Sequence, residues 1–269
     1  MELPSLILAR APQFLLVAVR VFAMIMTCPL LSMRNVPRVA KVALAGFVAF
    51  FILPSAYKNG WDKFTEITSA YSMEYFLFLI GEALIGVITG FYVSLIFAAF
   101  SSAGQFFSFQ MGFSAAEAYD ALSQIENPLM GQYLNMIAML VFLSTDGLRQ
   151  LFVLGVERSF QSMNCTLFLS GREHFAKFML SGLSDLFFDA MMIALPMVGI
   201  LFLISVTMGI LSKAAPQMNL LAEGLPITIL VSFLILMLLL PVMCGFFSRS
   251  IEIAFEKFQR LINAVSQAV

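Results

Sequence analysis

Charged residues divide the chain into long apolar runs. Residues 190–212 and 224–248 carry no charge, and neither do 127–145 and 42–57. The run 11–33 is interrupted only by Arg20, and 75–100 only by Glu82. A helix needs about 20 mainly apolar residues to cross the hydrocarbon core. The runs therefore predict hydrophobic segments near 11–33, 42–57, 75–100, 127–145, 186–212 and 224–248, within a single membrane domain, 1–269. Open sheets leave edge groups unsatisfied in lipid, so the predicted class is an all-α integral membrane protein of about six hydrophobic helices or helical hairpins.

One run is too long for a single crossing. From Ala83 to Ala116 there are 34 consecutive residues without a charge, so more than one element is expected there. Its first part holds Gly86 and Gly90 in a small-xxx-small pattern that lets two helices approach closely. Its second part, Ser101 to Ala116, mixes small residues with Gln105, Gln110, Met111 and the rings of Phe106, Phe107, Phe109 and Phe113. Weakly polar or irregular backbone at membrane depth is tolerated where protein buries it or where it lines a cavity. The segment is thus a candidate re-entrant loop or constriction. Bulky apolar side chains close a pore by dewetting, methionine repacks around varied shapes, and glycine lets the backbone shift. An interfacial helix buried against its neighbours is the alternative reading.

Composition agrees with the pattern. The chain is 61% hydrophobic and 12% charged, with a mean hydropathy of +0.94. Soluble domains carry about 25% charged residues, so a soluble monomer is excluded, and disorder with it. The net charge of −1 gives no basic surface for nucleic acid. In a six-span arrangement most Lys and Arg fall on one side, while Arg34, Arg38, Lys41 and Lys213 fall on the other, which favours cytoplasmic termini. The basic cluster Arg34, Arg38, Lys41 conflicts with that count. An acidic residue, Glu2, stands where a signal peptide would be basic, so the first span is expected to be retained.

Little points to chemistry. Cys28, Cys165 and Cys244 form no CxxC or Cys/His group and read as small buried hydrophobes. His174, in the polar linker 146–189, has no second ligand nearby and reads as solvated. That linker is expected to be partly helical and interfacial. No catalytic or nucleotide-binding fingerprint occurs, so no catalytic, cofactor-binding or metal residues are assigned. Arg20 and Glu82 lie inside spans, where an unpaired charge costs at least about 2.5–3.5 kcal/mol. They should face protein, water or each other, as structural partners or as members of an ion relay. Pro196 is expected to kink or break its helix, and Pro216 and Pro226 bracket a turn.

Several blocks together resemble the FliR family of flagellar type III export-gate membrane proteins. They are Arg20-Val21 with Pro29 to Pro37 and Lys41; Glu82 with Gly86 to Phe91; Gly104-Gln105 and Gln110-Met111-Gly112-Phe113-Ser114; Pro128 to Gly131; Asp146-Gly147; Ala194-Leu195-Pro196; and Pro216-Gln217-Met218-Asn219 with Gly224 and Pro226. The injectisome counterpart, SctT, is the nearest relative of that family, and the Gln-Met-Gly and Pro-Gln-Met-Asn blocks look more like the flagellar branch. Asp120-Ala121 and Leu148-Arg149 depart from the family's usual proline and histidines, which bears on local loop geometry.

The resemblance implies a non-enzymatic subunit in the bacterial inner membrane, within the flagellar basal body. Its implied partners are FliP and FliQ, with FlhB and FlhA in the same apparatus, exported flagellar proteins in transit, and membrane lipid. It also implies a plug loop after the third segment, formed by Phe106, Phe107, Phe109, Gln110, Met111, Gly112, Phe113 and Ser114. Arg20, Glu82, Gly86, Gly90, Pro196, Pro216, Gln217 and Asn219 are expected to serve structure or subunit contacts. Two other classes are a small-solute secondary transporter that uses Arg20 and Glu82 for coupling, and an intramembrane enzyme built on Asp185 or Asp189. The first predicts a midplane site and an internal repeat, and the second needs a catalytic partner on another span. The residues display neither.

Overall fold

The computed structural model describes residues 3–33, 35–58, 72–112, 129–162, 171–215 and 220–267. Among the described residues there is no strand. The chain order is α1 (Leu3–Thr27), α2 (Pro29–Ser32), α3 (Arg38–Lys58), α4 (Met73–Met111), α5 (Leu129–Ser144), α6 (Gly147–Phe152), a π-helical turn (Val153–Arg158), α7 (Ser159–Ser162), α8 (Arg172–Ala214) and α9 (Leu220–Gln267). Among the described residues α4, α8 and α9 are long and apolar enough to cross a membrane, and α5 passes the same test jointly with Gly147–Gln161. The protein is an all-α membrane protein.

Local chemistry sets the breaks. Cys28 precedes Pro29, and a residue before proline is pushed out of the α region. Its φ of −71° and ψ of 125° end α1 there. Asp146, at φ 55° and ψ 24°, holds a left-handed turn ahead of α6, a conformation that aspartate adopts more readily than most residues with a Cβ. Gly112, at φ +84°, ends α4, with its N–H bonded to the Phe109 carbonyl at 3.2 Å. Glycine supplies that cap without steric penalty.

The packing forms two compact units. The first comprises Met1–Leu95, Asp146–Gly182 and Ile253–Val269. Here α1 buries a stripe of Leu16, Val17, Val21, Met24 and Ile25 at helical spacing. The Tyr75 hydroxyl donates to the Pro12 carbonyl at 2.8 Å, and the Ser94 hydroxyl donates to that of Thr27 at 2.8 Å. Residues that rise together along both helices are therefore neighbours, so α1 and the first part of α4 run parallel. Lys41 of α3 is buried and donates to the Ser32 and Met33 carbonyls at 2.9 and 3.0 Å, which satisfies the end of α2. Tyr92 stacks with Phe178 and Phe258, with centroids 4.3 and 6.1 Å apart, and its hydroxyl donates to the Ala254 carbonyl. Leu151, Val156, Phe160 and Phe175 are buried in this unit, so the linker 146–189 contributes core as well as an exposed charged face.

The second unit comprises Ile96–Thr145 and Leu183–Glu252. Met130, Leu134, Ala138 and Phe142 of α5 are buried at intervals of four residues. Phe97 meets Phe142 at 5.2 Å, and Phe100 meets Phe247 at 4.2 Å between ring centroids. At Gly104 the backbones of α4 and α5 touch: a Cβ there would lie 2.6 Å from Gly131 Cα and 2.7 Å from the Met130 carbonyl oxygen.

One local expectation differs from the structure, and a second, that Pro196 kinks or breaks its helix, loses its second half. The segment marked as a candidate re-entrant loop is α-helical from Ser101 to Met111. No proline or left-handed position interrupts it before Gly112, and Gly104 serves a helix crossing instead of a bend. Residues 113–116 lie outside the described residues. Pro196 does not break α8, which runs on to Ala214. Pro196 is exposed, and the ring deprives only the Met192 carbonyl of its helical donor, a defect that neighbouring adjustments absorb in membrane helices.

Candidate functional site

The first predicted constellation closes on itself. Arg20 and Glu82, the charges inside two apolar runs, are 1% and 2% exposed and form a salt bridge across α1 and α4. Arg20 Nε donates to Glu82 Oε2 at 2.6 Å, and a second guanidinium nitrogen reaches the same oxygen. Arg20 Nη1 donates to Ser159 Oγ at 3.2 Å, and the guanidinium lies over the Phe160 ring with its carbon 3.9 Å from the centroid. One side chain thus ties α1, α4 and α7 together, with a carboxylate, a hydroxyl and an aromatic face around it.

The glycines of the small-xxx-small pattern belong to the same seam. Gly86 and Gly90 lie one and two turns beyond Glu82. A Cβ on Gly86 would fall on the Arg20 carbonyl oxygen, and one on Gly90 would fall on Thr27 Oγ1 and within 2.7 Å of the Met24 carbonyl oxygen. Absence of side chains at both positions lets the helices come close enough for the short Glu82 side chain to reach Arg20. Gly155 of the π turn packs beside them, 3.1 Å from Thr89 Cγ2 and 3.4 Å from Met24 Sδ when a Cβ is added. Both side chains are buried and paired with each other within the α1–α4 contact.

The second constellation lies on the last turns of α4. Phe107, Ser108 and Met111 are buried, while Phe106 and Phe109 are exposed and Gln110 is half-buried. The helix therefore has an inward face holding Met111 and an outward face presenting two rings. Gly112 caps it close to Leu225, whose Cδ2 would stand 2.8 Å from an added Cβ. Phe113 and Ser114 lie outside the described residues, as do Pro216, Gln217 and Asn219.

Ser159 and Phe160 are absent from the sequence-derived set, although they complete the Arg20 site. Hydroxyl and ring sit in the polar linker with no motif around them, directly after the π turn. The Gly104 crossing with Gly131 was visible only within blocks of the resemblance, although Gly104 and Ser108 are small residues four positions apart.

Comparison with known proteins agrees with the helical, apolar architecture. The family described as bacterial export proteins, family 1, matches residues 11–254. The flagellar biosynthetic protein FliR of Bacillus subtilis (strain 168) is 33% identical over 256 residues, covering 94% of this chain and 96% of the relative. That of Escherichia coli (strain K12) is 30% identical over 254 residues, covering 92% and 90%. That of Borreliella burgdorferi is 31% identical over 198 residues, covering 73% and 74%. The chain belongs to the FliR family of bacterial export proteins.

Proposed function

We propose that the chain is a non-enzymatic subunit of the flagellar export gate, that it assembles with FliP and FliQ in an apparatus that also holds FlhA and FlhB, and that the segment Phe106 to Ser114 closes the channel to exported proteins. Its family makes it an inner-membrane component of a bacterial export apparatus, and the flagellar names of its relatives make that apparatus the flagellar one.

The observation that carries assembly is the reach of the apolar helices. At 1.5 Å per residue, the 39, 43 and 48 residues of α4, α8 and α9 extend about 58, 65 and 72 Å, roughly twice the 30 Å hydrocarbon thickness. Of the most apolar 18 residues in α8 and in α9, 22% are buried within the chain, against 56% in α4. Lipid can cover one bilayer depth of such a surface. In α4 the uncharged run from Ala83 continues beyond that depth and ends with Phe106 and Phe109 exposed, and apolar surface outside lipid calls for partner protein.

The plug reading is supported by the uncharged surface of the α4 terminus, where Phe106 and Phe109 stand outward beside a glycine cap. Rings without charge resist hydration, which is what a seal requires. A photocrosslinking side chain placed at position 109, where the native ring is 74% exposed, should capture a substrate stalled in export, whereas one at the buried position 107 should not. Repeated failure at 109 in a complex that still exports would refute the plug. Copurification with FliP and FliQ, followed by mass measurement of the intact assembly, tests the partner assignment separately.

A further inference from the structure

The π turn beside Arg20 lacks an explanation in the export reading. In Val153–Arg158 the backbone makes i→i+5 bonds, one residue more per turn than the α-helical segments before and after it. Such a turn is intrinsically uncommon and marks a site where something selects it. Its C-terminal end is held by Ser159. The Ser159 N–H bonds to the Val156 carbonyl, and its hydroxyl donates to the Gly155 and Val156 carbonyls at 2.8 and 2.9 Å, which ties the side chain to the turn.

Ser159 Oγ still has lone pairs, and Arg20 Nη1 donates to it at 3.2 Å. The donation fixes the hydroxyl with its proton toward the backbone. Phe160, the next residue, lies flat on the same guanidinium. Glu82 in turn holds the guanidinium through Nε. A continuous chain of contacts therefore runs from Glu82 through Arg20 to Ser159 and the carbonyls of the π turn, entirely within the first packed unit.

We propose that the Arg20–Glu82 pair selects the π register of Val153–Arg158 by anchoring Ser159 and Phe160, and that the pair excludes an α-helical register of the same segment one residue shorter. Each residue of an α-helix adds about 100° of rotation and 1.5 Å of rise. With the anchor in place, taking up the surplus residue as regular helix would swing Ser159 and Phe160 away from the guanidinium. Without it, the contacts that Ser159 and Phe160 make with the guanidinium no longer oppose that rotation. Arg20 and Glu82 are positioning residues in this reading, acting through Ser159 on a two-state segment. The inference is independent of the plug.

The test is a cycle in the export complex assembled from full-length chains. Deleting Val153, an exposed residue of the turn, removes the surplus residue. The shortened segment can then be α-helical with Ser159 and Phe160 still in phase with the guanidinium, so the pair has no register left to select. Hydrogen exchange of the 153–160 peptide should therefore quicken about tenfold on Arg20→Met with Glu82→Met in the full-length chain, in the range of coupling between contacting groups, and less than twofold on the same substitutions in the shortened one. Equal changes in the two backgrounds would overturn the proposal. Should the double substitution itself prevent assembly, the same measurement on Ser159 variants decides. Exchange is expected to quicken about tenfold in Ser159→Ala and to return to the native rate in Ser159→Thr, which keeps the hydroxyl. An unchanged rate in Ser159→Ala would overturn it equally.

Discussion

The same substitution, glycine to alanine, should have opposite signs at two places in this chain. In a helix interior alanine is favoured over glycine by about 0.8–1.0 kcal/mol, so Gly199→Ala, where nothing lies within 4 Å of the added Cβ, should be neutral to stabilising. At Gly104 the added carbon would sit 2.6 Å from Gly131 Cα, 2.7 Å from the Met130 carbonyl oxygen and 2.8 Å from the Gly131 nitrogen. All three are backbone atoms, so no rotamer change relieves the contact. Ordinary van der Waals contact begins near 3.4 Å, and α4 and α5 must therefore separate by about 0.8 Å, which forfeits a quarter to a half of the dispersion energy along the seam. Overpacking of this kind costs about 1–3 kcal/mol or more, which exceeds the propensity gain. Thermal midpoints of the purified complex in detergent should fall for Gly104→Ala and hold or rise for Gly199→Ala. Equal midpoints for the two variants would show that α4 and α5 do not cross at these glycines.

Two further outcomes follow from the described geometry. Glu82→Gln removes the charge that neutralises a buried guanidinium and should destabilise the folded chain by about 3–5 kcal/mol, read as a lowered midpoint, while Arg20→Met with Glu82→Met should recover most of the loss, because a buried pair replaced by apolar groups is often neutral. Gly112→Ala puts a Cβ into a left-handed backbone position at φ +84° and against Leu225; a loss of about 1–2 kcal/mol should appear as faster hydrogen exchange over the last turn of α4.

The spacing of charges made the helical class and the long apolar elements legible, because a missing charge over 20 residues has few physical explanations other than burial in lipid or protein. It also marked Arg20 and Glu82 as needing partners, and the structure pairs them with each other. Gly86 and Gly90 were readable as a helix contact for the same reason: small residues four apart clear one strip of a helix surface. The helicity of Ser101 to Met111 was not legible, since a mixture of Ser, Gly, Gln and Phe is compatible with helix or irregular backbone and tertiary contacts at Ala103, Phe107 and Met111 decide between them. Ser159 and Phe160 were hidden for a different reason. They follow directly on a π turn, and no residue type signals that register. Lys41 illustrates a third kind of limit: counted as a loop charge it weighed on orientation, whereas its ammonium is buried on the carbonyls that end α2.

Because α1 and α4 run parallel, their shared ion pair joins residues 62 apart in the chain, and synthesis reaches them at different times. At roughly 5–20 residues per second, Glu82 is made roughly 3–12 s after Arg20. During that interval α1 is an apolar helix carrying an unneutralised cation, which costs about 2.5–3.5 kcal/mol at the centre of a span in lipid. The pairing of Arg20 therefore waits for α4, and the seam of the two helices closes only after both have been made. A chain interrupted before Glu82 is left with a guanidinium that lacks its carboxylate.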